Sequence, residues 1–253
     1  MVLNPTDFIG SLAKGLSVIE AFSLEKPRLS ISDVAAATGL DRATARRCLL
    51  TISELGYAEY DGKYFRLAPR ILRLGAVMIA TMPLPSLVQP WLDKLSTEIG
   101  QSTSVSILDD WEIVYLARAT QQKLMSINLM PGSRLPASCA SMGRVLLSGL
   151  TDAQIKNVLK KHPLIKRTDY SITEVDKFMR AIQLIRSQGF AIVDQEIELG
   201  LRSIAVPLYD VHGKLVAALN VGVAATHDNA QELRELYLTK ILEVQRAIKP
   251  LLV

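Results

Sequence analysis

Cysteine is scarce in this chain: Cys48 and Cys139 are its two thiols in 253 residues. That number excludes a disulfide scaffold and fits a reducing compartment. Long apolar runs are missing as well, and none approaches the ~20 residues that a membrane-spanning helix requires. The opening stretch MVLNPTDFIGSLA has neither a basic segment nor an apolar core, so no signal peptide is expected and the cytoplasm is the expected location. Charge of one sign is not in excess either. The formal net charge is +4, with 10 basic against 8 acidic residues in 1–82 and 19 against 17 in 83–253. Bulk charge therefore does not single out a nucleic-acid-binding part, and only local clustering can. Catalytic signatures are also lacking. There is no G-x-S-x-G, Walker loop or dinucleotide fingerprint, and no C-x-x-C or H-x-x-x-H spacing. Cys139 with His162, His212 or His227 is the sole nucleophile–base pairing to name, and no local motif accompanies it. No enzymatic activity, metal or cofactor is expected.

What is present is a globular composition, 49% hydrophobic and 21% charged, without repeats or low-complexity segments. In 11–22, Leu12, Leu16, Ile19 and Phe22 fall near helical spacing. After Pro27, Ser32 is expected to cap a short helix that Gly39 ends, and Asp41 to cap a third helix reaching Leu55. On that helix Ala45, Cys48, Leu49, Ile52 and Leu55 form an apolar stripe, with Leu50 on the polar side. Tyr57–Tyr60 and Lys63–Leu67 flank Asp61-Gly62, a two-residue hairpin signal. Helix, helix, helix, hairpin is the order of a winged helix-turn-helix, whose later helix enters the major groove. Arg42, Arg46 and Arg47 sit on that helix, and guanidinium forks suit guanine edges and phosphates. Thr44 beside them, with Lys63 and Tyr64 on the wing, completes the expected DNA-contacting set. The same arginines would also suit an ordinary solvated helix face.

Residues 68–82 are apolar over more than one helical face and predict a linker helix that needs a partner. From Leu84 the pattern becomes mixed α and β. A helix carries Val88, Trp91, Leu92, Leu95 and Ile99; strands are expected at 103–107, 111–117 and Met125–Leu129. Helices are expected near Ser141, after Thr151 and over Thr173–Gln188, then strands at 190–198, 203–209 and 214–223, and a closing helix from Asn229 to Lys249. Strand pairs joined by short turns imply a largely antiparallel sheet with helices packed on it, an α+β chain. The expected division is 1–67 for the winged module, 68–82 for the linker and 83–253 for the second domain.

The stretch GFAIVDQEIELGLRSIAVPLYD, residues 189–210, resembles the signature region of the IclR family of bacterial transcriptional regulators, in its spacing of Gly189, Glu196, Ser203-Ile204-Ala205 and Leu208-Tyr209-Asp210. The resemblance spans both halves of the chain. LDRATARRCLLTISELGY and RLPASCASMGRVLLSGL look most like the branch of that family that controls the β-ketoadipate pathway. It implies a second domain of the GAF/PAS-like kind that binds protocatechuate, 4-hydroxybenzoate or β-ketoadipate, operator DNA as partner, and a homodimer or dimer of dimers. By position it places the effector among Ser138, Cys139, Ser141, Met142, Val193, Ser203, Asn220 and Gly222. Where the family usually has Asp or Ser, this chain has Val193, which argues for a less polar ligand than a keto acid. A helix start near Ser138 and Ser141 can receive a carboxylate, with Arg134 and Arg144 nearby in sequence. Those serines would equally serve as helix caps, Asn220 as the mark of a bulge, and Arg134 as a solvated loop residue. Two other readings remain beside the regulator: an enzyme whose winged domain docks proteins, and an architectural DNA binder.

Overall fold

The structure is a computed structural model and describes residues 4, 7–23, 26–121, 129–225, 230 and 232–252. Its backbone contacts divide the chain into two compact units, 1–82 and 83–253.

In the first unit α1 (Gly10–Glu20) is followed by β1 (Arg28–Leu29), α2 (Ile31–Thr38), α3 (Arg42–Glu54), β2 (Ala58–Tyr60), β3 (Phe65–Leu67) and α4 (Leu72–Thr81). The cap of α2 is Ser30, not Ser32. Ser30 Oγ accepts from the Asp33 N–H at 3.2 Å while the Asp33 carboxylate accepts from the Ser30 N–H at 2.8 Å. Only Ser30 has an acid three residues on, so only it closes a reciprocal capping box. Gly39 ends α2 with φ 69°, and Asp41 caps α3 by accepting from the Thr44 N–H at 2.9 Å. Val18, Val34, Ala45, Leu49, Ile52 and Phe65 close the core of this unit. Leu50 is exposed, and so, against the expected stripe, is Leu55, which follows the last helical turn. The hairpin turns across Asp61–Tyr64, one residue later than Asp61-Gly62 alone. The Asp61 N–H donates to the Tyr64 carbonyl at 3.1 Å, and the Asp61 carboxylate accepts from the N–H groups of Lys63 and Tyr64. Ahead of α4, Pro69–Ile71 form a 3₁₀ turn, and Leu72, Leu74, Val77 and Met78 are exposed.

The second unit is one six-stranded antiparallel sheet with helices on both faces. Its elements are α5 (Leu84–Ile99), β4 (Ser102–Asp109), β5 (Glu112–Ala119), β6 (Arg134–Pro136), α6 (Ser141–Ser148), α7 (Asp152–Lys161), α8 (Val175–Gln188), β7 (Ala191–Asp194), β8 (Leu201–Tyr209), β9 (Leu215–Ala224) and α9 (Glu232–Ile248). The strand order is β6-β5-β4-β9-β8-β7. The expected strand Met125–Leu129 lies outside the described residues apart from Leu129, which is not in a strand. Arg134, expected in a loop, begins β6 because Val114 pairs with it across β5.

Alternation sets the two faces. Val105, Ile204, Val206, Leu208, Leu219 and Val221 pack toward α5 and α9. The opposite face is small and polar, with Ser102, Ser104 and Ser106 on β4, Ser203 on β8, and Asn220 and Gly222 on β9, all but Gly222 buried side chains. A bulge between Val105 and Ser106 inserts Leu116 unpaired on β5. As a result both Tyr115, opposite Ser106, and Arg118, opposite Ser104, point to this serine face. Helix α6 covers it, and the 3₁₀ turn Ala137–Cys139 crosses α6 at Gly143, where a Cβ would lie 2.2 Å from the Ala137 carbonyl oxygen.

Candidate functional site

Two surfaces carry chemistry. On the first unit, the inward side of α3 is taken by Ala45, Leu49 and Ile52, which leaves Arg42, Arg46 and Arg47 exposed. None of the three has a carboxylate of a described residue within ion-pair distance. Thr44 is different: it is buried, and its hydroxyl accepts from Arg47 Nη2 at 3.4 Å, so its side chain orients Arg47 from within the helix. At the wing the Tyr64 ring lies under Lys63 Nζ, 5.0 Å from the centroid, and under the Arg28 guanidinium at 5.3 Å. Arg28 also pairs with Asp61. Sequence reasoning passed over Arg28 because β1, only two residues long, is visible solely through its pairing with β3. The arrangement is a row of exposed guanidiniums on a helix, with two cations stacked on an aromatic wing nearby in the same unit. Such groups offer charge-assisted bonds to phosphates and base edges.

On the second unit, α6 and the serine face enclose a small chamber of about 30 Å³. That is room for a water or two, so a larger ligand enters only if the walls move apart. Of the residues expected here, Ser141, Met142, Ser203, Asn220 and Gly222 line it. Met142 Sδ accepts from Ser106 Oγ at 3.2 Å, and a Cβ built on Gly222 meets nothing within 4 Å. Three buried side-chain atoms lack a hydrogen-bond partner among the described residues, and two of them, Ser141 Oγ and Asn220 Oδ1, belong to this chamber. Buried polar groups are ordinarily satisfied, so the chamber has unmet hydrogen-bonding capacity. Ser141 does not cap its helix: α6 has no side-chain cap, and its first N–H groups face the same end.

The other four expected residues lie elsewhere. Arg134 donates to Glu112 at 2.7 Å and Asp109 at 2.8 Å, and lines a separate, more open cleft together with His162, which pairs with Asp110 at 3.2 Å. Ser138 and Cys139 are held in the turn crossing α6, and among the described residues, which do not include His227, the thiol's partners are the Ser138 hydroxyl and the Ile165 carbonyl, both at 3.6 Å, not a histidine. Burial pushes the Cys139 thiol pKa up, the reverse of what an activated nucleophile needs. Val193 is buried on the edge strand β7 beside Ser203, one strand removed from the chamber. Arg144 does not reach it either. Its Nε donates to the Ser138 carbonyl at 2.8 Å and its Nη2 to Glu196 at 2.5 Å, with both side chains almost fully buried.

Lining residues that the sequence did not suggest are Ser102, Tyr115 and Arg118 from the sheet and Leu129, Leu135, Ile197 and Leu201 from the surrounding walls. The overlooked signal was in plain view: Ser102, Ser104 and Ser106 alternate against Thr103, Val105 and Ile107. A buried strand with a small polar residue at every second position leaves room on one face. The Tyr115 phenol is pushed up to about 12, chiefly by burial, and so remains a neutral hydroxyl. The Glu196–Arg144 pair ties the β7–β8 loop, which carries Ile197, to α6, which carries Ser141 and Met142. Two walls of the chamber are thereby fixed to each other.

Comparison with known proteins agrees with both surfaces. Residues 11–62 match the IclR helix-turn-helix domain and residues 76–249 the bacterial transcriptional regulator IclR C-terminal domain. The chain is 41% identical to the Pca regulon regulatory protein of Pseudomonas putida, over 95% of this chain and 83% of that protein. It is 36% identical to the p-hydroxybenzoate hydroxylase transcriptional activator of Acinetobacter baylyi, over 86% of this chain and 82% of that one. The second unit superposes on the inducer-binding domain of the Acinetobacter transcription factor PobR, a double mutant in complex with 3-hydroxybenzoic acid. The TM-score is 0.62 at 30% identity, covering 66% of this chain and 98% of that one. With both units matched over most of their length, the chain belongs to the IclR family of bacterial transcriptional regulators.

Proposed function

We propose that the chain regulates genes of aromatic-acid catabolism, binding operator DNA through its first unit and a hydroxybenzoate-type acid or β-ketoadipate in the chamber of its second. The observation that carries this reading is the chamber itself. It has two unsatisfied buried polar atoms among serines and aliphatic walls, a lining suited to an amphipathic ring more than to a small keto acid. The relatives named for the Pca regulon and for p-hydroxybenzoate hydroxylase support the pathway. The working division is 1–67 for DNA, 68–82 as linker and 83–253 for the effector. On the DNA side Arg42, Arg46 and Arg47 meet the groove or its backbone, Thr44 supports Arg47, and Lys63 and Tyr64 touch flanking phosphates.

The protein acts in the cytoplasm as a homodimer or dimer of dimers. One module makes too few contacts for a tight site, and the exposed Leu72, Leu74, Val77 and Met78 of α4 offer an apolar face for a second copy. A second reading keeps the family but takes another small carboxylate, such as a keto acid, as effector. Thermal unfolding with protocatechuate, 4-hydroxybenzoate, β-ketoadipate, glyoxylate and pyruvate in parallel separates the two. A ligand at 100 times its dissociation constant adds about 2.7 kcal/mol. A raised midpoint with one of the first three supports the aromatic pathway, and a response to glyoxylate or pyruvate alone overturns it.

A further inference from the structure

We propose that Arg118 is the residue that recognises the effector's carboxylate, and that it makes the chamber selective for acids over neutral analogues. The inference rests on the reading that an aromatic acid binds there.

Arg118 projects from β5 onto the serine face because of the β4–β5 bulge. Its Nη1 donates to Ser104 Oγ at 3.0 Å and its Nε to Thr120 Oγ1 at 3.1 Å, while Nη2 has no partner among the described residues. Both partners are neutral hydroxyls, and among the described residues no Asp or Glu lines the chamber. That isolation is unusual in this unit. Among the described residues, the other cations of this unit that are not exposed each face a carboxylate: Arg144 on Glu196, Arg202 on Asp194 and Lys240 on Glu98. Arg118 alone among them is half-buried with its charge uncompensated, and desolvation lowers its pKa accordingly.

Removing a charge from water without a counter-ion is unfavourable, and an arginine whose fork is already pinned at two nitrogens is pre-organised for an incoming carboxylate. A ligand acid bonded to Nη2 supplies the missing negative charge. Its apolar remainder then meets Met142, Leu135, Leu129 and Ile197 on the walls.

The test compares 4-hydroxybenzoate and protocatechuate with the neutral 4-hydroxybenzamide by calorimetric titration of the full-length protein, wild type and R118Q. Hydrogen bonds to charged groups predict that wild type prefers acid to amide by roughly 10- to 150-fold, and that R118Q loses this preference through weaker acid binding. R118Q should weaken amide binding far less than acid binding, and R118K should recover part of the preference. A wild-type preference below about 3-fold overturns the assignment whether or not any variant folds. So does R118Q binding acids as wild type does, or losing acid and amide equally. Glyoxylate and pyruvate form a separate arm. If wild type binds only these and R118Q abolishes that binding, Arg118 stands and the aromatic reading fails. If wild type binds no acid at all, both fail.

Discussion

Removing Glu196 should destabilise the effector unit more than any surface change. The Glu196 carboxylate accepts from Arg144 Nη2 at 2.5 Å and from the Ile172 N–H at 3.0 Å. Arg144 in turn donates to the Ser138 carbonyl at 2.8 Å and lies 5.7 Å over the Phe178 ring. Side-chain exposures of 4% and 8% leave water little chance to replace a lost partner. Glu196→Ala therefore strands a buried guanidinium and an N–H group, and should cost about 3–5 kcal/mol. Arg144→Met strands the carboxylate instead and should cost a similar amount. The double variant Arg144→Met/Glu196→Leu removes both charges and leaves only the Ser138 carbonyl and the Ile172 N–H unpaired, at about 1–3 kcal/mol each. Its cost should thus fall well short of the sum of the singles, a coupling of a few kcal/mol. Urea unfolding followed by tryptophan emission is the assay. Trp91 and Trp111 are the chain's two tryptophans and both belong to the second unit, so the signal reports that unit alone. Additive costs, or a Glu196→Ala penalty below about 1 kcal/mol, would refute the view that this pair holds the chamber walls together.

Other expectations follow from single features. Gly143→Ala places a methyl 2.2 Å from the Ala137 carbonyl and should lose about 1–3 kcal/mol in the same assay. Gly222→Ala meets open space and should keep its stability while binding aromatic acids less well in calorimetry. Burial pushes the Tyr115 phenol pKa up from its ordinary 10.0 to about 12. The folded state thus prefers the neutral phenol, and its contribution is intact below pH 10 and lost as pH rises from 10 through 12. Tyr115→Phe should flatten the fall in stability across that window, and an unchanged pH profile would contradict the assignment. Arg46→Ala, at an exposed residue with no carboxylate partner, should lower operator affinity by about 1–3 kcal/mol while leaving the unfolding midpoint in place; equal binding removes it from the contact set.

Much of the fold was legible because local chemistry and tertiary structure agree. Asp41 as a cap, Gly39 and Gly189 as left-handed stops, and Thr151 opening α7 are all decided within a few residues. Ser30 was legible too, since Asp33 completes its box, but Ser32 drew attention by lying nearer the apolar run. Elements decided by pairing were not: β1 and β6 are too short to show a period. The chamber was half legible. Family position led to Ser141, Met142, Ser203, Asn220 and Gly222, while Arg118 was hidden by parity. Tyr115 and Arg118 are three residues apart and by strict alternation belong on opposite faces; only the bulge brings them to one.

Net charge carried little information because the two halves differ in the setting of their cations and not in net charge. Both halves of the chain have an excess of two basic residues, yet their free cations differ in setting. On α3, Arg42, Arg46 and Arg47 are unpaired, exposed and lie within six residues, which suits a polyanion whose phosphates repeat along a surface. Among the described residues of the second unit, the cations with restricted access to water are neutralised by carboxylates, and the exception is a single guanidinium facing the chamber. One enclosed charge engages one carboxylate of a ligand and repays desolvation only when that ligand is present. Neutralisation of Arg118 supplies at most a few kcal/mol, whereas about 5.5 kcal/mol of differential binding is needed to carry a two-state equilibrium from 1:99 to 99:1. The apolar walls, held by the Arg144–Glu196 pair, must therefore also differ between the two states if the effector is to switch operator binding fully. Charge selects which molecule enters, and the packing around its ring supplies the rest of the switching energy.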